Sequence, residues 1–487
     1  MIALMKKLFG TDGMRGEAGR FPLDAATVRT AGRSLATRLA ERLGRAPRVV
    51  AGRDTRESGE WIEGAFLGGA REAGARVESA GVITTPGVAY LARSLPADAG
   101  VVVSASHNPF QDNGIKIFAP TGRKLDDATE QLIEADIYAE RGGGADNEGG
   151  AAPEVAAALK GVDEDAAEAD AGATAEDARS LPEEDVRHSA GLRARYLDYL
   201  AEEVAAGLDL EGLHVVVDCA NGAASELAPA LLARLGARVT AIGDAPDGRN
   251  INLDCGSLHT EALERRVVAE GAQFGVAYDG DADRSLFVDA RGRLVDGDAT
   301  LWVLAKRMRE RGRLAGDTVV ATVMSNLGLE LALGSIGVKL LRTDVGDKYV
   351  LEELLRTGAA LGGEQSGHII FPRTSLAGDG LITTVNLLRA VREAGRPLHE
   401  LTEGFTRLPQ VLVNVRVREK RPFEEVEEVG RRARDVRAQL GERGRLLLRY
   451  SGTEPLARVM IEGQRQEEIE RLARGLAEAI RRNLGAG

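Results

Sequence analysis

A serine stands where an apolar run gives way to a polar loop, in the segment Ser104-Ala-Ser106-His107-Asn108-Pro109. The preceding valines, residues 101–103, are typical of a buried strand. Pro109 prevents the loop from continuing as regular structure. A hydroxyl at the end of a rigid strand is well placed to act as an exposed nucleophile. The same residues also suit an ordinary turn, so this segment alone leaves both interpretations open.

Three aspartates alternate in the segment Asp279-Gly-Asp281-Ala-Asp283-Arg284, between apolar runs at 274–278 and 285–289. Carboxylates this close repel one another unless a cation joins them, and oxygen ligands suit a hard divalent ion. An EF-hand calcium loop would need glycine at its sixth position and glutamate at its twelfth. This chain has Arg284 and Ala290 there. The pattern therefore favours a Mg²⁺ site with an open position for a phosphate oxygen, with an acidic, solvated hairpin loop as the alternative.

Two further segments have the composition of oxyanion-binding loops. Arg15 lies in the glycine-rich stretch 9–16 (FGTDGMRG), where backbone N–H groups can approach an anion and the guanidinium adds a bidentate donor. The stretch 449–458 (RYSGTEPLAR) combines two arginines with a bare, hydroxyl-bearing turn at Ser451, Gly452 and Thr453. Plain turns are the alternative in both places.

A glycine-flanked loop at residues 362–368 (GGEQSGH) carries Glu364 and Ser366. A glutamate on a tight loop is a good acceptor for sugar hydroxyls or an ammonium group. Lys116 follows the predicted hairpin turn 112–114 (DNG), from where it can return to the serine as a proton carrier or phosphate ligand. A simple turn and a solvated lysine are the respective alternatives.

Alternating strands and helices must position these loops. Asp24 predicts the start of a helix that ends near Gly44, with an apolar side formed by Val28, Leu35 and Leu39. A strand, a polar loop and a helix recur from residue 213 and again from residue 318, which favours α/β layering. From residue 411 the order changes to strand, helix, two strands and helix, which is typical of a small α+β domain.

These patterns predict four domains. The first, 1–187, carries the Ser106 loop, and the second, 188–299, carries the aspartate loop. The third, 300–407, carries the Glu364 loop, and the fourth, 408–487, carries the Ser451 loop. Within the first, residues 141–185 hold thirteen acidic and three basic residues and no aromatic. We interpret this segment as a solvated, disordered acidic insertion.

Composition excludes several classes of protein. The net charge of −12 over 487 residues argues against general nucleic-acid binding. No apolar run approaches the roughly 20 residues that span a bilayer, and the first residues do not resemble a signal peptide. Two cysteines make neither a disulfide framework nor a structural zinc site, so a cytoplasmic location is expected.

Nine motifs along nearly the whole chain resemble the α-D-phosphohexomutase family, in the order that family has them. They are KKLFGTDGMRG, GRDTR, SASHNPFQDNGIK, DCANGA, NINLDCGS, DGDADR, DVGDKYV, GGEQSGHII and RYSGTEPLARVM. The resemblance implies three similar α/β domains with mixed sheets and a smaller C-terminal α+β domain around a central cleft. Three departures from the family pattern are the 141–185 insertion, Lys348 and the sequence CGSLH.

The resemblance also implies roles for single residues. It makes Ser106, and not Ser104, a phosphoserine whose phosphoryl oxygen binds one Mg²⁺ per subunit together with three aspartates, Asp279, Asp281 and Asp283. It implies further catalytic residues at Lys116, Arg15 and His107. The implied substrate-binding residues are Arg284, Glu364, Ser366, Ser451, Gly452, Thr453 and Arg458. The general base is either Lys116 or a group on the 344–348 loop.

The implied reaction moves a phosphoryl group between two positions of a hexose phosphate. Gln365 in the GEQSGH sequence resembles the pattern of bacterial glucosamine-type members of the family. Those members interconvert glucosamine 6-phosphate and glucosamine 1-phosphate. Glucosamine 1,6-bisphosphate is the intermediate and activator there, and the product supplies UDP-N-acetylglucosamine for cell-wall synthesis. The phosphomannomutase/phosphoglucomutase branch, which usually has methionine at this position, is the alternative.

The expected partner is a small sugar phosphate, with neither nucleic acid nor membrane. The oligomeric state stays open, with a homodimer among the options. A serine hydrolase is a weaker interpretation, because Ser106 lacks the GxSxG context. A catalytically dead sugar-phosphate sensor would be expected to have lost the serine or the aspartates, and this chain retains both.

Overall fold

The computed structural model describes residues 7–10, 12–142, 183–451 and 454–486. Most of the predicted acidic insertion, and both Gly452 and Thr453, lie outside these residues. The chain forms two compact units. One comprises Met1–Asp209, Val217–His259 and Tyr278–Asp283, and the other comprises Leu210–Val216, Thr260–Ala277 and Arg284–Gly487.

The first unit contains a six-stranded mixed sheet of order β1-β2-β6-β5-β3-β4. Its strands are β1 (Phe9–Gly10), β2 (Gly13–Glu17), β3 (Arg48–Arg53), β4 (Arg76–Val82), β5 (Ala99–Val103) and β6 (Asp112–Phe118). β3 pairs in parallel with β4 and β5, whereas β6 pairs antiparallel with β5 and β2. Every residue of β5 is buried, as predicted for the run that precedes Ser106.

Two local predictions in this sheet are wrong. Residues 112–114 are not a hairpin turn but the start of β6, and the turn lies one step earlier, where the N–H of Asp112 donates to the carbonyl of Pro109. Arg15 lies on β2 rather than in a glycine loop, directly opposite Gly114. Asn113 and Gly114 lie opposite Gly16 and Arg15 of β2, and this strand pairing outweighs the turn preference of the Asn-Gly pair.

Helices cover the sheet of the first unit. They are α1 (Ala25–Leu43), α2 (Gly59–Glu72), α3 (Thr85–Ser94), α4 (Asp127–Glu140) and α5 (Glu183–Asp198), which continues as a π-helical turn, Tyr199–Val204. α1 begins and ends as predicted: the carboxylate of Asp24 accepts the N–H of Thr27, and Gly44 has a left-handed φ of 65°. The predicted apolar side of α1 is buried in the core together with Phe66 of α2.

A second, five-stranded sheet has the order β11-β10-β9-β7-β8. Its strands are β7 (His214–Asp218), β8 (Arg238–Ile242), β9 (Phe274–Tyr278), β10 (Ser285–Asp289) and β11 (Leu294–Val295). Its helices are α6 (Ala224–Arg234) and α7 (Glu261–Glu270). β9 and β10 are buried at every position, which confirms the two strands predicted on either side of the aspartate loop.

The second unit contains a four-stranded sheet of order β13-β12-β14-β15. Its strands are β12 (Thr318–Thr322), β13 (Lys339–Thr343), β14 (Gly362–Gly363) and β15 (Ile369–Ile370). The accompanying helices are α8 (Gly297–Glu310), α9 (Leu327–Ser335), α10 (Asp347–Thr357), α11 (Gly380–Ala394) and α12 (Leu398–Leu401). The short hairpin of β14 and β15 carries the Glu364 loop at its turn.

The C-terminal residues form a three-stranded antiparallel sheet of order β16-β18-β17. Its strands are β16 (Gln410–Arg416), β17 (Gly444–Tyr450) and β18 (Leu456–Gly463), and its helices are α13 (Glu427–Leu440) and α14 (Gln466–Leu484). α13 is preceded by a separate 3₁₀ turn, Phe423–Glu425, after Pro422. The predicted fold class, three α/β domains and a smaller C-terminal α+β domain, is confirmed.

Among the described residues, no helix has both the length and the apolar character needed to cross a membrane. Cys219 is buried, Cys255 is half-buried, and both are free thiols.

Candidate active site

Ser106 lies just beyond the carboxyl end of β5, in the first unit, and is 1% exposed. Its Oγ donates to Oδ2 of Asp279 at 2.5 Å, and Nδ1 of His107 lies 3.2 Å from the same hydroxyl. The φ of Ser106 is 54°, in the left-handed region that residues with a β-carbon seldom adopt. Backbone strain of this kind persists only where the surroundings hold it, and such places are often functional sites.

The three predicted metal ligands lie together. Asp279, Asp281 and Asp283 are buried, and each offers a carboxylate oxygen within 4.8 Å of those of the others. Oδ1 of Asp281 is buried and has no hydrogen-bond partner among the described residues. A buried carboxylate oxygen without a partner costs free energy unless a cation binds it. Three buried carboxylates with a spare oxygen therefore fit a hard divalent ion such as Mg²⁺.

The aspartate loop approaches the serine closely because of its glycine. A β-carbon on Gly280 would lie 2.5 Å from the carbonyl oxygen of Ser106, closer than any side chain tolerates. The loop is also anchored by Thr85 at the start of α3. Oγ1 of Thr85 donates to Oδ2 of Asp281 at 2.6 Å, and its N–H donates to the carbonyl of the same aspartate at 3.0 Å. Thr85 thus orients the carboxylate of Asp281, the middle aspartate.

Lys116 lies on β6, opposite Val102 of β5, and its side chain is 1% exposed. Its Nζ lies 2.8 Å from Oδ2 of Asp281, 3.5 Å from Asp283 and 3.3 Å from Asp12. Burial alone would lower the pKa of Lys116, but these carboxylates outweigh it and hold the pKa above its usual value. The ammonium group is therefore charged and lies among the carboxylates of the aspartate loop.

Arg15 approaches the same group from β2. Its Nη1 donates to the carbonyl of Ala105 at 3.2 Å, and its Nη2 pairs with Asp12. Its Nε is buried without a hydrogen-bond partner among the described residues. An arginine with a spare donor beside the nucleophile can take a phosphoryl oxygen.

Asp12 connects the cations of this group. It contacts Arg15, Lys116 and Lys124, the last with Nζ 2.7 Å from Oδ1. Burial would raise the pKa of Asp12, but the charges of Lys116, Lys124 and Arg15 lower it well below its usual value. Sequence reasoning missed Asp12, although it stands in the same FGTDGMRG stretch as Arg15.

Ser104 supports the backbone of Ser106 and binds Asp54, which is not one of the three aspartates of the aspartate loop. Its Oγ accepts the N–H of Ser106 at 2.9 Å and donates to Oδ2 of Asp54 at 2.6 Å. The first unit therefore brings together Ser106, Lys116, Arg15 and the three aspartates.

The second unit holds the Glu364 loop. Oε1 of Glu364 accepts the N–H of Gly346 at 3.2 Å, and Oε2 accepts Oγ of Ser366 at 3.2 Å. Glu364 and Ser366 are both half-buried. The two predicted sugar-binding side chains are therefore in contact, and they leave lone pairs for further donors.

Gln365 lies between them and turns away from both. Its Nε2 donates at 3.1 Å to Oδ2 of Asp298, a buried carboxylate that also accepts the N–H of Asn326 at 2.8 Å. Burial, and next the nearby charge of Asp296, raise the pKa of Asp298 to about 7. The position of the loop is thus tied to a buried carboxyl group that the sequence reasoning did not identify.

The predicted phosphate loop is described in part, since Gly452 and Thr453 lie outside the described residues. Nη2 of Arg458 donates to Oγ of Ser451 at 3.4 Å. Arg449 lies directly opposite Arg458 on neighbouring strands, and burial together with that second charge lowers the pKa of Arg449. Two guanidinium groups side by side on a sheet repel each other, which an anion would relieve. Arg284, also in the second unit, is half-buried just after the aspartate loop.

Four family models match the chain. They are those of phosphoglucomutase/phosphomannomutase alpha/beta/alpha domain I at residues 6–142, domain II at 194–292, domain III at 296–408 and the C-terminal domain at 412–479. A phosphoglucosamine mutase of Solibacter usitatus is 48% identical over 482 residues, which cover 99% of this chain and all of the relative.

Two solved structures share the fold. A phosphoglucomutase/phosphomannomutase family protein of Burkholderia thailandensis aligns with a TM-score of 0.74 and 23% identity, over 99% of this chain and 98% of that one. An N-acetylphosphoglucosamine mutase of Aspergillus fumigatus, in complex with GlcNAc-6P and magnesium, aligns with a TM-score of 0.60 and 18% identity, over 98% and 96%. The matches along the whole sequence establish that this chain belongs to the phosphoglucomutase/phosphomannomutase family.

Proposed function

We propose that this chain interconverts glucosamine 6-phosphate and glucosamine 1-phosphate, the reaction of a phosphoglucosamine mutase, with Ser106 as the phosphoryl carrier. The observation that carries the proposal is the buried contact of the Ser106 hydroxyl with Asp279, within a group of three aspartates and Lys116. Relatives named phosphoglucosamine mutase, such as one 48% identical along the full length, support the choice of substrate.

Phosphoryl transfer from Ser106 has a simple balance. The free hydroxyl oxygen of the bound sugar monophosphate attacks the phosphorus of phosphorylated Ser106. The bond from that phosphorus to Oγ of Ser106 breaks, and a 1,6-bisphosphate forms. The sugar hydroxyl loses its proton to a base, and the serine oxygen regains one. The second half-reaction reverses these changes with the other phosphate of the bisphosphate. One phosphoryl group leaves Ser106 and one returns to it, so the enzyme ends the cycle with Ser106 phosphorylated again.

The cations beside Ser106 support this chemistry. A phosphoryl group in transfer spreads negative charge over its oxygens, and fixed donors lower the barrier. The spare Nε of Arg15, whose Nη1 binds the carbonyl of Ala105, and the ammonium group of Lys116 are proposed to bind such oxygens. One Mg²⁺, held by Asp279, Asp281, Asp283 and a phosphoryl oxygen on Ser106, would neutralise part of that charge.

The substrate is proposed to be held by residues of the second unit. Glu364 and Ser366 accept the hydroxyl and ammonium groups of the sugar, because their oxygens retain unused lone pairs. Ser451, Gly452, Thr453 and Arg458 hold the phosphate that is not being transferred, and Arg284 completes the set of substrate-binding residues. His107, in the first unit, is proposed to act as a catalytic residue beside Ser106, because its Nδ1 lies 3.2 Å from the serine hydroxyl. With the proposed domain boundaries 1–187, 188–299, 300–407 and 408–487, each domain carries one loop of the site. These are, in order, the Ser106 loop, the aspartate loop, the Glu364 loop and the Ser451 loop.

The test is a comparison of substrates with one preparation of the protein and MgCl₂. Values of kcat/KM are measured for glucosamine 6-phosphate, glucose 6-phosphate and mannose 6-phosphate, each with its own 1,6-bisphosphate as activator. We expect the highest value for glucosamine 6-phosphate. A higher value for glucose or mannose 6-phosphate would replace the proposal with the phosphoglucomutase/phosphomannomutase alternative, and no turnover of any would overturn it.

A further inference from the structure

Arg56 is a fully buried arginine that the proposed chemistry does not use. It follows β3, and its side chain and that of Asp54 are both 0% exposed. Nε of Arg56 donates to Oδ2 of Asp54 at 2.9 Å, and Oδ1 of Asp54 accepts the N–H of Arg56 at 3.0 Å. Burial raises the pKa of Asp54 and the charge of Arg56 opposes that rise. Removing either partner would leave a buried charge uncompensated.

The remaining donors of Arg56 all bind the main chain of one segment, residues 104–112, which we name the nucleophile loop. Nη1 and Nη2 each donate twice, and the four acceptors are the carbonyl oxygens of Ser106, Asn108, Pro109 and Asp112. A guanidinium group has five N–H donors in a fixed plane. All five are therefore used, one on Asp54 and four on the nucleophile loop.

Two further contacts hold the same loop. Asp54 accepts Oγ of Ser104, which in turn accepts the N–H of Ser106. Nδ2 of Asn252 donates to the carbonyls of Ser106 at 2.9 Å and Asn108 at 3.2 Å. The N–H and carbonyl of Ser106 are thus fixed on both sides, at the residue with the left-handed φ.

We propose that Arg56 is the positioning residue of the nucleophile: it holds the Ser106 backbone in its left-handed conformation and so aims the Ser106 Oγ at the aspartate group. This inference rests on the proposed function of Ser106. A displacement of about 1 Å at a reacting atom can lower a rate by two orders of magnitude. Positioning of the serine therefore affects the transfer step more than substrate binding.

A role as phosphate ligand does not fit Arg56. Its donors are all occupied and its side chain is inaccessible, whereas Arg15 keeps a spare Nε beside the nucleophile. Lysine could not replace Arg56, because an ammonium group has three donors and no planar fork.

The experiment compares Arg56→Lys and Arg56→Ala with Arg53→Lys, a matched control in the same segment whose guanidinium group pairs with Glu63. The readouts are kcat and KM for glucosamine 6-phosphate, phosphate on Ser106 by intact mass, and rescue by added guanidinium ion. We expect kcat to fall at least about 10-fold in both Arg56 variants with KM nearly unchanged. Guanidinium ion should restore part of the kcat of Arg56→Ala, since it can occupy the space left by the arginine side chain. It should not raise the kcat of the Arg53→Lys control.

Two results would overturn the proposal. One is an Arg56→Lys variant with the kcat of the Arg53→Lys control; the other is a loss that only follows the fraction of unfolded protein and shows no rescue. If Arg56→Ala fails to fold, Asn252→Ala decides: a lowered kcat supports the positioning of Ser106 and an unchanged one contradicts it. An inactive wild-type protein would refute the proposed function instead, so the two failures are distinct.

Discussion

Lys116 and Asp281 form a buried ion pair in which Nζ lies 2.8 Å from Oδ2, with side chains 1% and 0% exposed. The ammonium group and Thr85 occupy one oxygen of this carboxylate, while its other oxygen has no partner among the described residues. The aspartate group thus has one resident cation and capacity for a second. This arrangement links the aspartate group to β6, the strand that also pairs with the strand leading to Ser106.

Lys116→Met removes the resident cation from among three buried carboxylates. We expect kcat to fall by about 100-fold or more, because a positioned proton carrier or charge at the transferring group is lost. The melting temperature should fall as well, and MgCl₂ should recover part of it, since a divalent ion can take over the lost charge. Steady-state kinetics and thermal unfolding with and without MgCl₂ check both effects.

The matched control is Lys339→Met, an exposed lysine on β13. Equal kcat values for the two variants would contradict the role of Lys116.

Asp281→Asn keeps the shape of the middle aspartate and removes its charge. We expect the affinity for Mg²⁺ to fall at least about 10-fold, measured as the rise in melting temperature during a MgCl₂ titration, and kcat to fall with it. The exposed Asp244→Asn is the control. If the titration of Asp281→Asn matches that of the wild type, Asp281 is not a metal ligand.

Glu364→Gln tests the choice between an amino sugar and a neutral sugar. A carboxylate that accepts from an ammonium group contributes about 1.5–3 kcal/mol, more than one that accepts from a hydroxyl. The loss in kcat/KM should therefore be larger for glucosamine 6-phosphate than for glucose 6-phosphate. Glu353→Gln, on a half-buried glutamate that pairs with Arg356 on α10, serves as the control. Equal losses for both sugars would mean that Glu364 does not meet the amino group.

Asp298→Asn tests the buried carboxyl group that accepts a hydrogen bond from Gln365 of the Glu364 loop. Its pKa is raised from 3.8 to about 7 in the folded chain, so the folded state binds more protons than the unfolded state between these values. The stability that Asp298 contributes is then present at low pH and is lost as pH rises from about 4 to 7. Because asparagine does not ionise, the variant should gain on the wild type through that range, by at most about 4 kcal/mol.

Thermal unfolding of both proteins at a series of pH values measures the difference. Curves of melting temperature against pH that run parallel from pH 4 to 7 would show that Asp298 has an ordinary pKa.

Local pattern was enough to predict the elements that position the site. β5, β9 and β10 are short apolar runs bounded by polar loops, and α1 carries both of its capping signals. The turn at 112–114 was wrong, because neighbouring strands decide the fate of an Asn-Gly pair and they are distant in sequence.

The contacts of the site needed more than local pattern. Ser106 and Asp279 are 173 residues apart, and only the resemblance to a family placed them together. Arg56, Thr85 and Asp12 were missed as site residues because a charged or hydroxyl side chain in a loop normally faces solvent. Arg56 and Thr85 are buried and Asp12 is half-buried, and these positions follow from tertiary packing, which a single sequence does not display.

The most direct test follows the phosphate on Ser106. The protein is labelled on its phosphoserine with radioactive phosphate, mixed with unlabelled glucosamine 6-phosphate and MgCl₂, and the label is located over time. We predict that it starts on the peptide containing Ser106, passes to the sugar phosphates, and is absent from a folded Ser106→Ala variant that does not turn over. Label on another residue, or interconversion by Ser106→Ala at the wild-type rate, would contradict the account.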